Sequence, residues 1–317
     1  MTIRNQTKVT RRPRRAAAAS FVLPGLGQIY NGEGVKGLSI LLMTAFIVPC
    51  FGWIAAHGPR SLISFFVFSG VFAALAFYFF AAIDAYKVAK RIGENFSTTS
   101  FNNPFSYLAL TFFAYFFVFG QLTEYTQNNL VSAYKVPTTS MTPGILQGDQ
   151  FFADKTINRP GSKGKIQRGD IVVFVNPNDR TQTFVKRVIG LPGDNIDLSG
   201  AAITVNSQPL TQGLVTDLGN GELNQLLGDH IATRERAGDK EYIVVWKKNP
   251  QKHSESFSVP NGQIFVLGDN RDNTLDSRKF GGVSMSDVVG RAEQVWFSTA
   301  DTGIRWGRIG ALLAIAK

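Results

Sequence analysis

Val136-Pro-Thr-Thr-Ser-Met-Thr-Pro-Gly-Ile-Leu-Gln-Gly-Asp149 marks the point where the chain changes character. Long apolar runs dominate before it, and short runs broken by turn residues follow it. Prolines, small hydroxyl residues and glycines around Ser140 specify a shaped loop and exclude a helix there. On this stretch alone, Ser140 is an ordinary loop hydroxyl as readily as a nucleophile.

Downstream, Val/Ile/Phe-rich runs at 151–153, 170–175, 183–189, 203–205, 242–247, 263–267 and 291–297 alternate with Gly, Pro, Asn and Asp. Such runs are strand signals. Many short strands without long helical periods predict a mostly-β, barrel-like domain over 135–317. Residues 207–240 are polar without a firm period and read as an insertion, partly helical. Residues 123–134 read as a juxtamembrane linker. The apolar end of the chain, 311–316, is too short to span a bilayer.

Upstream, apolar segments at 37–56, 62–83 and 104–122 each approach the roughly 20 residues that cross a bilayer. Backbone groups in lipid need internal partners, so these are predicted transmembrane helices. Residues 1–36 precede them. The first fifteen carry Arg4, Lys8, Arg11, Arg12, Arg14 and Arg15 and no acid. This is a solvated tail or a cytoplasmic flank. The apolar stretch 16–30 is broken by Pro24-Gly25 and Gly27, and no small-x-small cleavage site follows. It is expected to be an uncleaved interfacial or re-entrant segment.

The second connection holds Lys87, Lys90 and Arg91, whereas the first, His57-Gly-Pro-Arg-Ser61, has one Arg. The positive-inside rule places the tail and the second connection in the cytoplasm and everything from about 123 outside. No span carries a central acid or a His pair, which argues against an intramembrane protease or an ion carrier. The formal net charge of +10 fits membrane topology and anionic-lipid contact. No basic face with interleaved aromatics suggests nucleic acid. The lone Cys50 permits no internal disulfide and is expected to be a small buried hydrophobe. His57, His230 and His253 are scattered without metal-ligand spacing, so neither metal nor cofactor is expected.

A serine needs a base. Histidine is the usual one, but His230 and His253 lie in irregular sequence. Thr183-Phe-Val-Lys-Arg-Val-Ile189 offers Lys186 instead. Side chains alternate along a strand, so Lys186 and Arg187 face opposite ways, one toward a site and the other toward a structural acid. Lys186 serves as a base only if burial lowers its pKa. Otherwise it is a solvated strand lysine.

Three blocks in this order after a membrane anchor resemble the type I signal peptidases, Ser/Lys serine endopeptidases that remove signal peptides from exported proteins. They are the Ser140 loop, Phe184-Val-Lys-Arg-Val-Ile-Gly-Leu-Pro-Gly-Asp194, and Phe265-Val-Leu-Gly-Asp-Asn-Arg-Asp-Asn-Thr-Leu-Asp-Ser-Arg-Lys-Phe-Gly281. A calcium loop is the rival reading of the last block, but Arg271 stands at a ligand position and Phe280 replaces the closing acid. Arg305-Trp-Gly-Arg-Ile-Gly310 also looks like the family. The likeness covers about 105–317 without the insertion.

The resemblance implies an inner-membrane, multi-pass protease with its catalytic domain outside. Its expected partners are preprotein signal peptides, the bilayer and, by proximity, the secretion translocon. It implies Ser140 as nucleophile and Lys186 as base, with Thr138 in the oxyanion hole and Thr274 orienting the lysine. Asp276 and Arg278 match a structural ion pair, Arg187 shares its network, and Asp269 and Asp272 shape the loop. Val136, Met141, Ile145, Phe184 and Val185 match shallow pockets for a substrate cut after small-x-small, and read equally as core. Members often have Ser at the positions of Thr138 and Thr274, Gly at Thr139 and Thr at Gly144. Two alternatives stay open: a dedicated-substrate maturation protease, and a binding protein on an inactivated protease fold.

Overall fold

The computed structural model describes residues 8–94, 96–97, 102–157, 164–219, 221–249 and 254–313. His253 and residues 314–316 lie outside this set. The chain divides into two compact units, 1–55 with 65–128 and 56–64 with 129–317.

The first unit is helical. Gly34–His57, Arg60–Ile92 and Pro104–Asn129 are long and apolar enough to cross a membrane. The second and third run past the expected ends at 83 and 122. Hydropathy marks only the apolar part of a helix, and nothing stops the second before the left-handed Gly93. Cys50 is exposed on its helix, not buried as expected. A helix that is apolar all round has no inward face to reserve for it. The 16–30 stretch forms two helices, Pro13–Val22 and Leu26–Tyr30, separated at Pro24-Gly25. Gln28 ties them together and to the second long helix: its Oε1 accepts from Ser20 Oγ at 3.1 Å, and its Nε2 donates to Ala81 O at 2.8 Å and Asp84 Oδ2 at 2.9 Å.

The second unit is mostly β. One antiparallel sheet runs, from edge to edge, Val283–Ser284, Gln263–Leu267, Thr183–Gly190, Ile171–Val175, Val288–Ala300, Asp149–Asp154 and Val131–Lys135. The edge strands do not pair with each other, so the sheet is open where a barrel-like domain was expected. The first edge is only two residues long and offers little ladder to close on. Ile171, Val172, Val173 and Phe174 are all buried, as suits a strand covered on both faces.

The expected linker is not a linker. Residues through Asn129 are helical, and Val131–Lys135 pairs with Asp149–Asp154 as the edge of the sheet. The insertion is largely strand. Thr211–Val215, His230–Ala237 and Lys240–Lys247 form a three-stranded antiparallel sheet, and helical turns occupy only Gly221–Gly228. The alternation that would have signalled His230–Ala237 is hidden by buried Thr233 and Glu235.

Candidate active site

Ser140 lies on the loop between the edge strand Val131–Lys135 and Asp149–Asp154. The loop is pinched at its base: Val136 N–H donates to Asp149 O and Gly148 N–H to Val136 O, both at 2.9 Å. Asp149 is fully buried and accepts from Leu146 N–H at 2.9 Å and from Ser298 Oγ at 2.6 Å. Arg308 also bonds Asp149, and it donates to Gly144 O at 3.0 Å. Met141 and Ile145 anchor the loop in a core cluster with Phe151, Ile171 and Val173.

Thr183–Gly190 carries the lysine. Lys186 stands opposite Val172 in the sheet register and is only 5 % exposed. Its Nζ donates to Ser140 Oγ and to Val185 O, each at 3.0 Å. Burial pushes the ammonium down to about 8, against the upward pull of Asp276 and Asp269. Such a group exchanges a proton near neutral pH.

Arg187, one residue on, points the other way. Its Nε and Nη2 reach Asp269 Oδ1 and Oδ2 at 2.7 and 2.6 Å, and its Nη1 donates to Gly169 O at 2.8 Å. Burial disfavours its charge, but Asp269 outweighs burial and holds the guanidinium above its ordinary range.

The loop after Gln263–Leu267 brings the acids. Asp276 caps the short helix Ser277–Phe280 and accepts from Arg278 Nε at 2.9 Å and Nη2 at 2.8 Å. Asp272 accepts from Lys247 N–H at 2.7 Å. Gly268 is required by close approach: a Cβ there would meet Thr274 Oγ1 at 2.4 Å and Ser140 O at 2.6 Å.

The candidate residues divide accordingly. Thr138 Oγ1 lies 3.2 Å from Ser140 Oγ. Thr274 does not bond Lys186; its hydroxyl is buried without a partner among the described residues. Val136, Met141 and Ile145 are at least 95 % buried and belong to the core. Phe184 and Val185 are half-buried, and the Phe184 ring packs against Phe174 and Phe280. Thr139, at a position where members of the family often have glycine, has ordinary negative φ, so it carries no left-handed strain. Its hydroxyl accepts from Asn273 Nδ2 at 3.0 Å. Asn270, Asn273, Arg308 and Glu235 also hold this region and were missed. Asn270 and Asn273 were in view inside the third block, but nothing local marks an asparagine as a crosslink. Among the described residues no cluster of His, Cys, Asp and Glu could hold a metal.

The family model "Signal peptidase, peptidase S26" matches residues 106–297, 192 of the 317. Signal peptidase I of Rickettsia typhi is 33% identical over 196 residues, covering 55% of this chain and 74% of its own. Signal peptidase I of Pseudomonas aeruginosa is 31% identical over 196 residues, covering 54% and 66%. A crystal structure of a signal peptidase I from Enterococcus faecalis V583 is 27% identical and covers 41% of this chain and 98% of its own, at a TM-score of 0.26. That score is too low to bear on the fold. The matched span contains the serine loop, the lysine strand and the acid loop together, and the chain belongs to the signal peptidase family S26, a family of serine peptidases.

Proposed function

We propose that this protein removes signal peptides from exported preproteins with a Ser140–Lys186 dyad, cutting after a small-x-small motif. The observation that carries the reading is the 3.0 Å contact between a buried lysine amine and the serine hydroxyl. The neutral Lys186 amine takes the Ser140 proton as Oγ attacks the scissile carbonyl. The resulting ammonium protonates the leaving amine, and water then hydrolyses the acyl-enzyme by the same exchange.

The developing oxyanion is held by the Thr138 hydroxyl and the Ser140 N–H. Among the described residues that N–H has no acceptor, which leaves it available. Substrate lies extended beside the serine loop and the lysine strand, where backbone bonds supply affinity and shallow pockets favour small side chains. A paired serine and lysine speaks against the inactivated-fold alternative.

The proposed setting is a bacterial inner membrane, with the catalytic domain on the outer face near the secretion translocon. The basic tail and second connection support that orientation. So does the first connection. Ser64 N–H donates to Gln294 Oε1 at 3.1 Å, and Gln294 Nε2 donates to Ser61 O at 3.0 Å. Gln294 belongs to the catalytic sheet, which supports a reading with the first connection and the catalytic domain on one side. The test is cleavage of a preprotein by the full chain in detergent, read by N-terminal sequencing of the product. A cut after small-x-small by the wild type, abolished in Ser140→Ala and Lys186→Met, supports the reading. Cleavage by Lys186→Met overturns it.

A further inference from the structure

The inserted sheet supplies no atom to the Ser140–Lys186 contact, yet it grips the acid loop. Val245 N–H donates to Asp269 O, and Arg271 N–H returns to Val245 O, both at 2.9 Å. Beside them lies an ion pair with no solvent exposure on either side chain. Arg271 Nη1 and Nη2 meet Glu235 Oε1 and Oε2 at 2.7 and 2.5 Å, and Arg271 Nε donates to Gly268 O at 3.0 Å. The guanidinium also lies over the Trp246 ring, 5.4 Å from its centroid. Glu235 comes from the insertion, on His230–Ala237, and Trp246 from Lys240–Lys247, the strand that follows and pairs with it.

The gripped loop holds the nucleophile. Asn270 N–H donates to Ser140 O at 3.1 Å. The Nδ2 groups of Asn270 and Asn273 reach Thr139 O at 3.3 Å and Thr139 Oγ1 at 3.0 Å. The carbonyl of Arg271 accepts from Arg278 Nη2, and the same guanidinium holds Asp276.

A buried ion pair is weak evidence for stability, since desolvation offsets most of its attraction. What a bidentate pair does supply is a fixed orientation. We infer that Glu235 is a positioning residue for the active site: it fixes Arg271, and through Arg271 the loop that holds the Ser140 carbonyl and sets Asp276 beside Lys186. The insertion is then the third support of the site, together with the serine loop and the lysine strand. This inference rests on the Ser/Lys reading above.

The test compares full-length wild type, Glu235→Gln and the apolar pair Glu235→Leu/Arg271→Leu. The readouts are kcat and KM on a preprotein, Tm, and amide hydrogen exchange across residues 268–278. Glu235→Gln is expected to lower kcat by about 10²-fold with KM nearly unchanged, the scale of a small misplacement of catalytic groups. The amides of Asn270 and Arg271 are expected to lose protection. The apolar pair is expected to recover Tm without recovering kcat. Unchanged kcat and protection in Glu235→Gln overturns the inference, as does an apolar pair that recovers kcat along with Tm. A wild type that cuts no preprotein sinks the Ser/Lys reading instead, and the exchange data still decide whether Glu235 holds the loop.

Discussion

The Lys186 amine sits 3.0 Å from the Ser140 hydroxyl while only 5 % of the lysine is exposed. Proximity and burial act on one atom: the first lets Nζ accept the serine proton, and the second makes the neutral amine accessible near physiological pH. In the proposed dyad neither residue works without the other. Ser140→Ala and Lys186→Met are each expected to lower kcat/KM by about 10⁴-fold or more, and the double variant to be no worse than either single. Additive losses in a preprotein cleavage assay contradict a dyad.

The lysine also sets a pH dependence. Burial moves its pKa from 10.5 to about 8, so kcat/KM is expected to climb through an apparent pKa near 8 and level off above it. Stability follows the same titration. Between about 8 and 10.5 the unfolded chain binds the proton that the folded chain has released, so stability rises with pH in that window. Below it, the folded state bears the whole cost of a buried ammonium, about 3 kcal/mol. Lys186→Met removes that cost. At pH 6 the inactive variant is expected to melt above the wild type, with the gap narrowing toward pH 10. Calorimetry at the two pH values checks this, and a gap independent of pH refutes it.

Thr138 gives a separable test. Its hydroxyl is 3.2 Å from Ser140 Oγ, and in the proposed mechanism it is an oxyanion donor that acts only as charge develops. Thr138→Val is expected to lower kcat by roughly 10²–10³-fold with little change in KM. Thr138→Ser keeps the donor and is expected to stay close to wild type. A KM effect without a kcat effect would make Thr138 a binding residue only.

The serine loop, the lysine strand and the mostly-β domain were legible because each has a local signature: Pro and Gly around Ser140, alternation at Lys186 and Arg187, and short runs between turns. The support around them was not. Glu235 reads as one of several charges in a polar stretch, and only the fold brings it to Arg271, 36 positions away. The edge strand Val131–Lys135 was hidden because it follows a helix directly and carries little apolar pattern of its own. Thr274 illustrates the reverse case. Its place in the third block suggested a bond to Lys186, but the lysine's bonds go to Ser140 and Val185.

Gly144 links the serine loop to the buried Arg187–Asp269 pair. A Cβ at this position would meet Asp269 Oδ2 at 2.3 Å and Arg187 Nη2 at 3.2 Å. No flexible tail is available to yield, because both side chains are held by mutual bonds and are at most 2 % exposed. The φ of Gly144 is ordinary, so the glycine is required by space and not by backbone conformation. Gly144→Ala is therefore expected to cost about 1–3 kcal/mol by overpacking. Gly144→Thr adds two further heavy atoms and is expected to separate the pair, approaching the 3–5 kcal/mol typical of a broken buried ion pair. Urea unfolding of the two variants orders these costs. If Gly144→Thr is as stable as wild type, the Arg187–Asp269 pair does not lie against the serine loop in solution.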